Sequence, residues 1–192
     1  MQLGRSTSLS QAAQIIVISA WVGIALGILG SATSDLDPAV AATAAISSGV
    51  FAVFITFYPR NRLMRGGLRL ELAILAGALL TVTSSALTGG FRSPYLLMAL
   101  VPTLLASTAS GMRLGLTTSL LSVGLLAAFA VASEGLPALT GNLGTIVLYP
   151  LLAVVVAQIR NLLVQVEERA SELEAASVLA EAELARLGQA ND

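Results

Sequence analysis

The feature that most constrains the fold is one long apolar region followed by a short charged one. Residues 12–159 carry few charges, whereas seven of the eleven acidic residues lie between Glu167 and Asp192. The whole chain is 56% hydrophobic and only 11% charged, with a mean hydropathy of +0.86, and soluble domains carry about 25% charged residues. This composition predicts an all-α membrane protein whose last helix leaves the bilayer.

Six uncharged stretches are candidates for membrane-spanning helices, because a helix needs about 20 apolar residues to cross a hydrocarbon core of about 30 Å. They are residues 12–30, 39–58, 72–88, 94–112, 114–133 and 143–159. The first has no basic segment before it beyond Arg5, so we expect a retained helix and not a cleaved signal peptide. We therefore expect a bundle of six transmembrane helices over residues 1–159 and a cytoplasmic signalling helix over residues 160–192.

The positions of the arginines predict the orientation, since short loops rich in Arg stay on the cytoplasmic side of the membrane. With the N-terminus inside, Arg92 is alone in an outer loop. The cytoplasmic side then holds Arg5, Arg60, Arg62, Arg65, Arg69, Arg113 and Arg160. We expect a multi-pass membrane protein with both termini cytoplasmic, and short outer loops near residues 31–38, 88–93 and 134–142.

The residue types exclude several classes of function. The chain has no His and no Cys, so it lacks a phosphoacceptor histidine and thiolate ligands. No ionisable residue lies in the middle of a span, where pumps and ion-coupled carriers usually place one. We expect no catalytic residue, no metal site, no cofactor and no nucleic-acid partner. A carrier for a neutral molecule stays open, because hydroxyls such as those of Thr81, Ser84 and Ser85 would donate hydrogen bonds, although such groups usually bond within their own bundle.

Small residues recur at every fourth position of the first span. This ridge consists of Ser19, Gly23, Gly27 and Ser31. Small side chains let helix backbones approach closely in lipid, which is how transmembrane helices associate. The ridge is therefore either a groove for the helix of a partner or ordinary packing within the bundle, and packing is the commoner cause of the pattern.

The last span continues into a heptad pattern. Its seam, with alternating spacings of three and four residues, consists of Leu163, Val166, Ala170, Leu173, Ser177, Ala180, Leu184 and Leu187. This is the spacing of a dimeric coiled coil, and the alternative is a single solvated amphipathic helix. The small residues in the seam make it marginal, so a change of register is expected to cost little. Pro150 would kink the preceding span and either transmit a change of angle into the coil or merely fit the bundle.

Residues 88–95 read Thr-Gly-Gly-Phe-Arg-Ser-Pro-Tyr. Gly89 and Gly90 permit positive φ, while Ser93 would cap the fourth span with Pro94 in its first turn. These residues, with Thr88, predict a tight turn between two helices, and the alternative is a signal-contact site. Arg92 is not explained by turn chemistry and would face a lipid phosphate, an acidic residue of a partner or water.

This segment resembles the Thr-Gly-Gly-x-x-Ser-Pro-aromatic motif of six-span bacterial sensor histidine kinases of the PilS type. Residues 184–191, Leu-Ala-Arg-Leu-Gly-Gln-Ala-Asn, resemble the linker that leads into the PAS domain of that family. The resemblance implies a homodimeric sensory input module of a two-component system, located in the bacterial inner membrane in contact with its lipids. It would sense the transmembrane helix of pilin and act through a downstream kinase region and response regulator on type IV pilin expression.

The chain departs from the full family pattern, because it has no His, no kinase boxes and no PAS domain. We therefore expect it not to be an enzyme itself. It would be either an excised input module of a histidine kinase, which we favour, or a natural stand-alone relative of one. The alternatives are a small-molecule carrier subunit of six helices and a membrane scaffold. The heptad extension in phase with the last span argues against the carrier, for which a coil has no evident use.

Overall fold

The computed structural model describes residues 7–59 and 67–189, and within them all regular secondary structure is helical, without a β-strand. The helices are α1 (Thr7–Ala32), α2 (Pro38–Phe57), α3 (Leu68–Leu87), α4 (Leu96–Ala109), α5 (Met112–Glu134), α6 (Pro137–Gly141) and α7 (Leu143–Gln189), with a 3-10 turn at Gly90–Arg92. The all-α class is confirmed. Arg5, Arg60, Arg62 and Arg65, on which the predicted orientation largely depends, lie outside the described residues.

Five of these helices are long and apolar enough to cross a membrane, namely α1, α2, α3, α5 and the apolar part of α7. They indicate a membrane-embedded protein. The fourth expected span, residues 94–112, is not confirmed, because α4 has only 14 residues, which at 1.5 Å per residue is about 21 Å. The helix is limited at both ends. Ser93 adopts an extended conformation before Pro94, as residues before proline do, and Gly111, at φ 84°, separates α4 from α5.

The ends of the helices follow local chemistry. Asp37 caps α2, since its Oδ1 accepts a hydrogen bond of 2.8 Å from the backbone N–H of Ala39, and Pro38 occupies the first helical position. Gly135, at φ 81°, ends α5. The segment 134–142, expected to be a plain loop, contains the short helix α6, which also begins with a proline.

The first compact unit, residues 1–158, is a bundle with two apolar cores. One core joins α1, α2, α3 and α4 around Phe51, Ile74 and Leu105. The second joins α3, α4, α5 and the start of α7 around Leu126 and Tyr149. Glycines set the closest approaches: Gly77 of α3 faces the ring of Phe51, and Gly115 of α5 faces Ser107 of α4.

The second unit, residues 159–192, is described as far as Gln189 and is the continuation of α7 as helix. Most of its described side chains are exposed in the single chain, including apolar ones: Val166 is 63% exposed and Leu173 72%. Its helical state agrees with the sequence, whereas the coiled coil stays a prediction. The side chains of Leu184 and Leu187 lie outside the described ones.

Candidate functional site

Three connecting segments, residues 33–37, 88–95 and 135–142, lie together at one end of the bundle, which we call the three-loop end. Pro94 lies next to Gly30 near the end of α1, and the ring of Phe129 in α5 lies next to Gly90. Arg92 lines a pocket together with Pro137 and Ala138 of α6. The residues of the Thr88–Tyr95 motif are therefore the centre of this end of the bundle.

The motif is closed by hydrogen bonds between its own side chains. Thr88 Oγ1 donates to the carbonyl of Ser84 at 2.7 Å and is hydrogen-bonded to Ser93 Oγ. Ser93 Oγ also accepts from the backbone N–H of Tyr95 at 3.0 Å. In a consistent arrangement Ser93 donates to Thr88, which leaves its lone pairs for Tyr95. Both hydroxyls are buried, so the loop is held by bonds shielded from water.

Two glycines make this turn possible. Gly89 has φ 117° and Gly90 φ 62°, which only glycine adopts without strain. Ser93 does not cap α4 as expected, because the helix begins at Leu96. Instead, the Ser93 hydroxyl forms its hydrogen bonds inside the loop, to Thr88 and to the backbone N–H of Tyr95, since Pro94 keeps the chain extended at Ser93.

Tyr95 anchors the motif to α1 and α3. Its side chain is 1% exposed, and its ring lies against Gly27 of α1. Its carbonyl accepts a hydrogen bond of 3.1 Å from Ser85 Oγ of α3. The neighbouring Pro94 lies against Gly30, where an added Cβ would be 2.5 Å from the proline Cβ. Gly30 was missed in the sequence because it falls outside the four-residue ridge.

The ridge of small residues in α1 contacts α4 and the residue just before it, Tyr95. A Cβ on Gly23 would lie 3.1 Å from Met98 Sδ, and one on Gly27 would overlap the Tyr95 ring. Ser31 is buried and donates to the Gly27 carbonyl at 2.8 Å, while Ser19 is exposed and donates to the Ile15 carbonyl. Of the four residues only Ser19 is exposed.

Arg92 and Glu134 line the same open pocket of about 270 Å³, together with Asn142. Both side chains are exposed. Neither forms an ion pair with any residue in the described part of the chain. Two opposite charges at one pocket, without pairing to each other, are available to charged groups of a partner. The sequence alone did not predict that Arg92 and Glu134 share a pocket, because they are far apart along the chain. They meet only through packing of the 3-10 turn on α5.

Pro150 lies inside α7 and is half-buried. The residue before it, Tyr149, is buried, and its hydroxyl donates a hydrogen bond of 2.7 Å to the carbonyl of Leu96. Leu96 is the first residue of α4 and directly follows the Thr88–Tyr95 motif. The motif and the helix that carries the heptad seam are therefore joined by one partly buried hydrogen bond.

A group of buried hydroxyls was not singled out in the sequence. Thr103 of α4 and Thr118, Ser119 and Ser122 of α5 are fully buried, and their side-chain oxygens have no hydrogen-bond partner among the described residues. Because Ser107 faces Gly115 in this antiparallel pair, Thr103 faces the turn that carries Thr118 and Ser119. A water or a small neutral ligand in the interior would find hydrogen-bond partners in these hydroxyls. The run Thr117-Thr118-Ser119 was the available signal.

Comparison of the chain with protein-family models, with curated proteins and with solved structures found no match.

Proposed function

We propose that this chain is the sensory input module of a two-component sensor histidine kinase. In this proposal it crosses the bacterial inner membrane six times with both termini in the cytoplasm, and it detects a transmembrane helix, in first place that of pilin. The kinase region and response regulator lie downstream. The observation that carries the proposal is the hydrogen bond from Tyr149 to Leu96, because it couples the Thr88–Tyr95 motif to the helix that would leave the membrane.

The proposed topology counts α4 as the fourth of six crossings. Its 14 residues are mostly buried, so a short length is tolerated because protein, rather than lipid, surrounds the helix. The connections before and after α4 then lie on opposite sides. This puts Arg92 outside, at the three-loop end, and Arg113 in the first turn of α5 inside, as the arginine bias requires.

The proposed contact with a partner is at the three-loop end, where Arg92 and Glu134 are exposed beside one pocket. The rest of the motif is held internally by Thr88 and Ser93. A partner that binds Arg92 would displace this internally bonded turn, which leads directly into the start of α4. Displacement of Leu96 would then act on Tyr149 and the neighbouring Pro150, where a proline already interrupts the helical hydrogen bonds.

The proposed output is a parallel dimeric coil. Val166 and Leu173, at successive d positions of the heptad, are more than half exposed in the single chain. Burial of such side chains against a second copy is favourable by about 1.5–3 kcal/mol each. Other apolar residues, such as Val178, are exposed away from the seam, so the seam must be tested by position.

The experiment joins residues 1–192 to a PAS-kinase output and records autophosphorylation in membranes, with and without a co-expressed pilin helix. We expect the pilin helix to change the rate at least severalfold. Insertion of two residues after Val166 should abolish this response because it breaks the heptad phase. The matched control inserts seven residues at the same point, which restores the phase and should retain the response.

The outcomes separate the parts of the proposal. A response that survives the two-residue insertion as well as the seven-residue one would overturn transmission through the coil. Loss of basal activity by the two-residue insertion alone, with no effect of the pilin helix, would keep the input module and reject pilin as the signal. Indifference to both would reject the sensor function.

The second candidate is a carrier subunit for a small neutral molecule, favoured by the unpartnered hydroxyls of Thr103, Thr118, Ser119 and Ser122. Such hydroxyls would exchange hydrogen bonds with a neutral ligand in the interior. In that case Ser119→Ala would impair uptake by whole cells without changing a grafted kinase. If the chain is a scaffold, neither Ser119→Ala nor the two-residue insertion should change uptake or autophosphorylation, and only the recruitment of partners would be affected.

A further inference from the structure

A lateral cleft separates α1 from α2 at the three-loop end. It has a volume of about 530 Å³, and its walls include Ile28, Ser31, Leu36, Ala41, Ala42 and Ala45. Further from this end the two helices are joined by a hydrogen bond of 3.1 Å from Trp21 Nε1 to Thr56 Oγ1. The cleft is thus an opening between two helices that are tied together at greater depth.

The size of the cleft decides what kind of group fits it. On α2 the lining runs from Pro38 to Ala45, which is about 10 Å along the helix axis. A transmembrane helix of a partner runs through a hydrocarbon core of about 30 Å, so it would contact the cleft over only a third of its length. The volume lies within the usual range of small-ligand pockets, about 300–1,000 Å³, and the walls are apolar. The upper part of a lipid acyl chain with its glycerol fits these dimensions.

Tyr95 gives the cleft a polar group. It lines the cleft and is 1% exposed. Its hydroxyl makes no hydrogen bond with any residue that the structure describes, in contrast to the equally buried Tyr149, which donates to Leu96. The hydroxyl is therefore free to donate, and an ester or phosphate oxygen of an occupant would accept its hydrogen bond.

The charges at the mouth favour a cationic head on the occupant. Asp35 and Asp37 are exposed and flank Leu36, which lines the cleft. One oxygen of Asp37 caps α2, while Asp35 forms no ion pair with a described residue. No basic residue lines the cleft, and Arg92 lines two other pockets at this end. An anionic lipid would therefore be repelled, and an amine would be attracted.

We propose that this cleft binds one glycerophospholipid with a primary-amine headgroup, such as phosphatidylethanolamine. The acyl chain lies between α1 and α2 over the alanines, an ester or phosphate oxygen accepts the hydrogen bond from Tyr95, and the ammonium group faces Asp35. This binding is independent of the pilin signal and of the kinase.

The test is native mass spectrometry of the full chain released from nanodiscs that contain equal amounts of phosphatidylethanolamine, phosphatidylglycerol and phosphatidylcholine. We expect one retained lipid per chain, enriched at least threefold in phosphatidylethanolamine. Tyr95→Phe should weaken retention about fivefold, the value of one hydrogen bond, while keeping the ring against Gly27. Asp35→Asn should remove the preference for the amine without removing the lipid.

Ala42→Leu fills the cleft from an exposed position and should abolish retention. Its matched control is Ala76→Leu, at an exposed site on α3, which should retain the lipid. Circular dichroism and size-exclusion profiles establish that each variant is folded. Equal retention of the three lipids, retention that survives Ala42→Leu, or displacement of the lipid by a transmembrane peptide would each overturn the proposal.

Discussion

The ring of Tyr95 lies so close to Gly27 that no methyl group fits between them. A Cβ on Gly27 would overlap ring atoms Cδ1 and Cε1. This contact joins the C-terminal part of α1 to the end of the Thr88–Tyr95 motif. It accounts for a glycine within the helix, where glycine costs about 1 kcal/mol relative to alanine. Shape at this point therefore outweighs helix propensity.

Gly27→Ala is expected to destabilise the bundle by about 1–3 kcal/mol, because the added methyl group forces the Tyr95 ring or α1 to move. The measurement is the free energy of unfolding in mixed detergent micelles. The control is Gly49→Ala on α2, where an added Cβ meets no atom within 4 Å. That variant should be neutral or more stable by up to about 1 kcal/mol. Equal effects of the two substitutions would contradict the contact.

Tyr149→Phe is expected to cost about 0.5–1.5 kcal/mol of stability by removing the hydrogen bond to Leu96. In the grafted kinase it should also reduce the response to the pilin helix, while basal autophosphorylation stays. Tyr58→Phe serves as control. Tyr58 is half-buried, its ring centroid lies 5.1 Å from that of Phe54, and it is remote from the motif. An unchanged response in Tyr149→Phe would show that the signal does not pass through this bond.

Cysteine cross-linking tests the seam directly, since the chain has no native cysteine. Leu173→Cys should form a disulfide between two copies, because facing d positions bring Cα atoms within the range of about 4.4–6.8 Å that a disulfide requires. Val178→Cys lies off the seam on a side chain that is also exposed, and it should cross-link much less. The readout is a non-reducing gel of membranes after mild oxidation. Cross-linking of Val178→Cys in preference would overturn the assigned register.

Ser119→Ala and Ser85→Ala form a matched pair of buried hydroxyl deletions. Ser119 has no hydrogen-bond partner among the described residues, whereas Ser85 is within 3.1 Å of the carbonyls of Thr81 and Tyr95. We expect Ser85→Ala to lose about 1 kcal/mol of unfolding free energy and Ser119→Ala to lose none. A loss of more than about 1 kcal/mol in Ser119→Ala would mean that this hydroxyl binds a water or ligand.

The limits of sequence reasoning are visible at the three-loop end. Positive φ at Gly89 and Gly90 followed from their residue type, since that preference is local. The length of α4 did not follow, because apolar composition extends from Pro94 to Met112 while the backbone leaves the helix at both ends. The pocket shared by Arg92 and Glu134 required knowledge of how the 3-10 turn sits on α5.

The amino-acid sequence by itself determined the helical class, the apolar segments and the heptad spacing, because each depends on composition and on periodicity over a few turns. Only the tertiary structure decided that Gly27 accommodates Tyr95, that Gly30 accommodates Pro94 and that Tyr149 bonds to Leu96. These pairs lie far apart along the chain. Their contacts depend on the rotation and depth of each helix in the bundle. Small residues permit several such arrangements, and close packing of all the helices selects one of them.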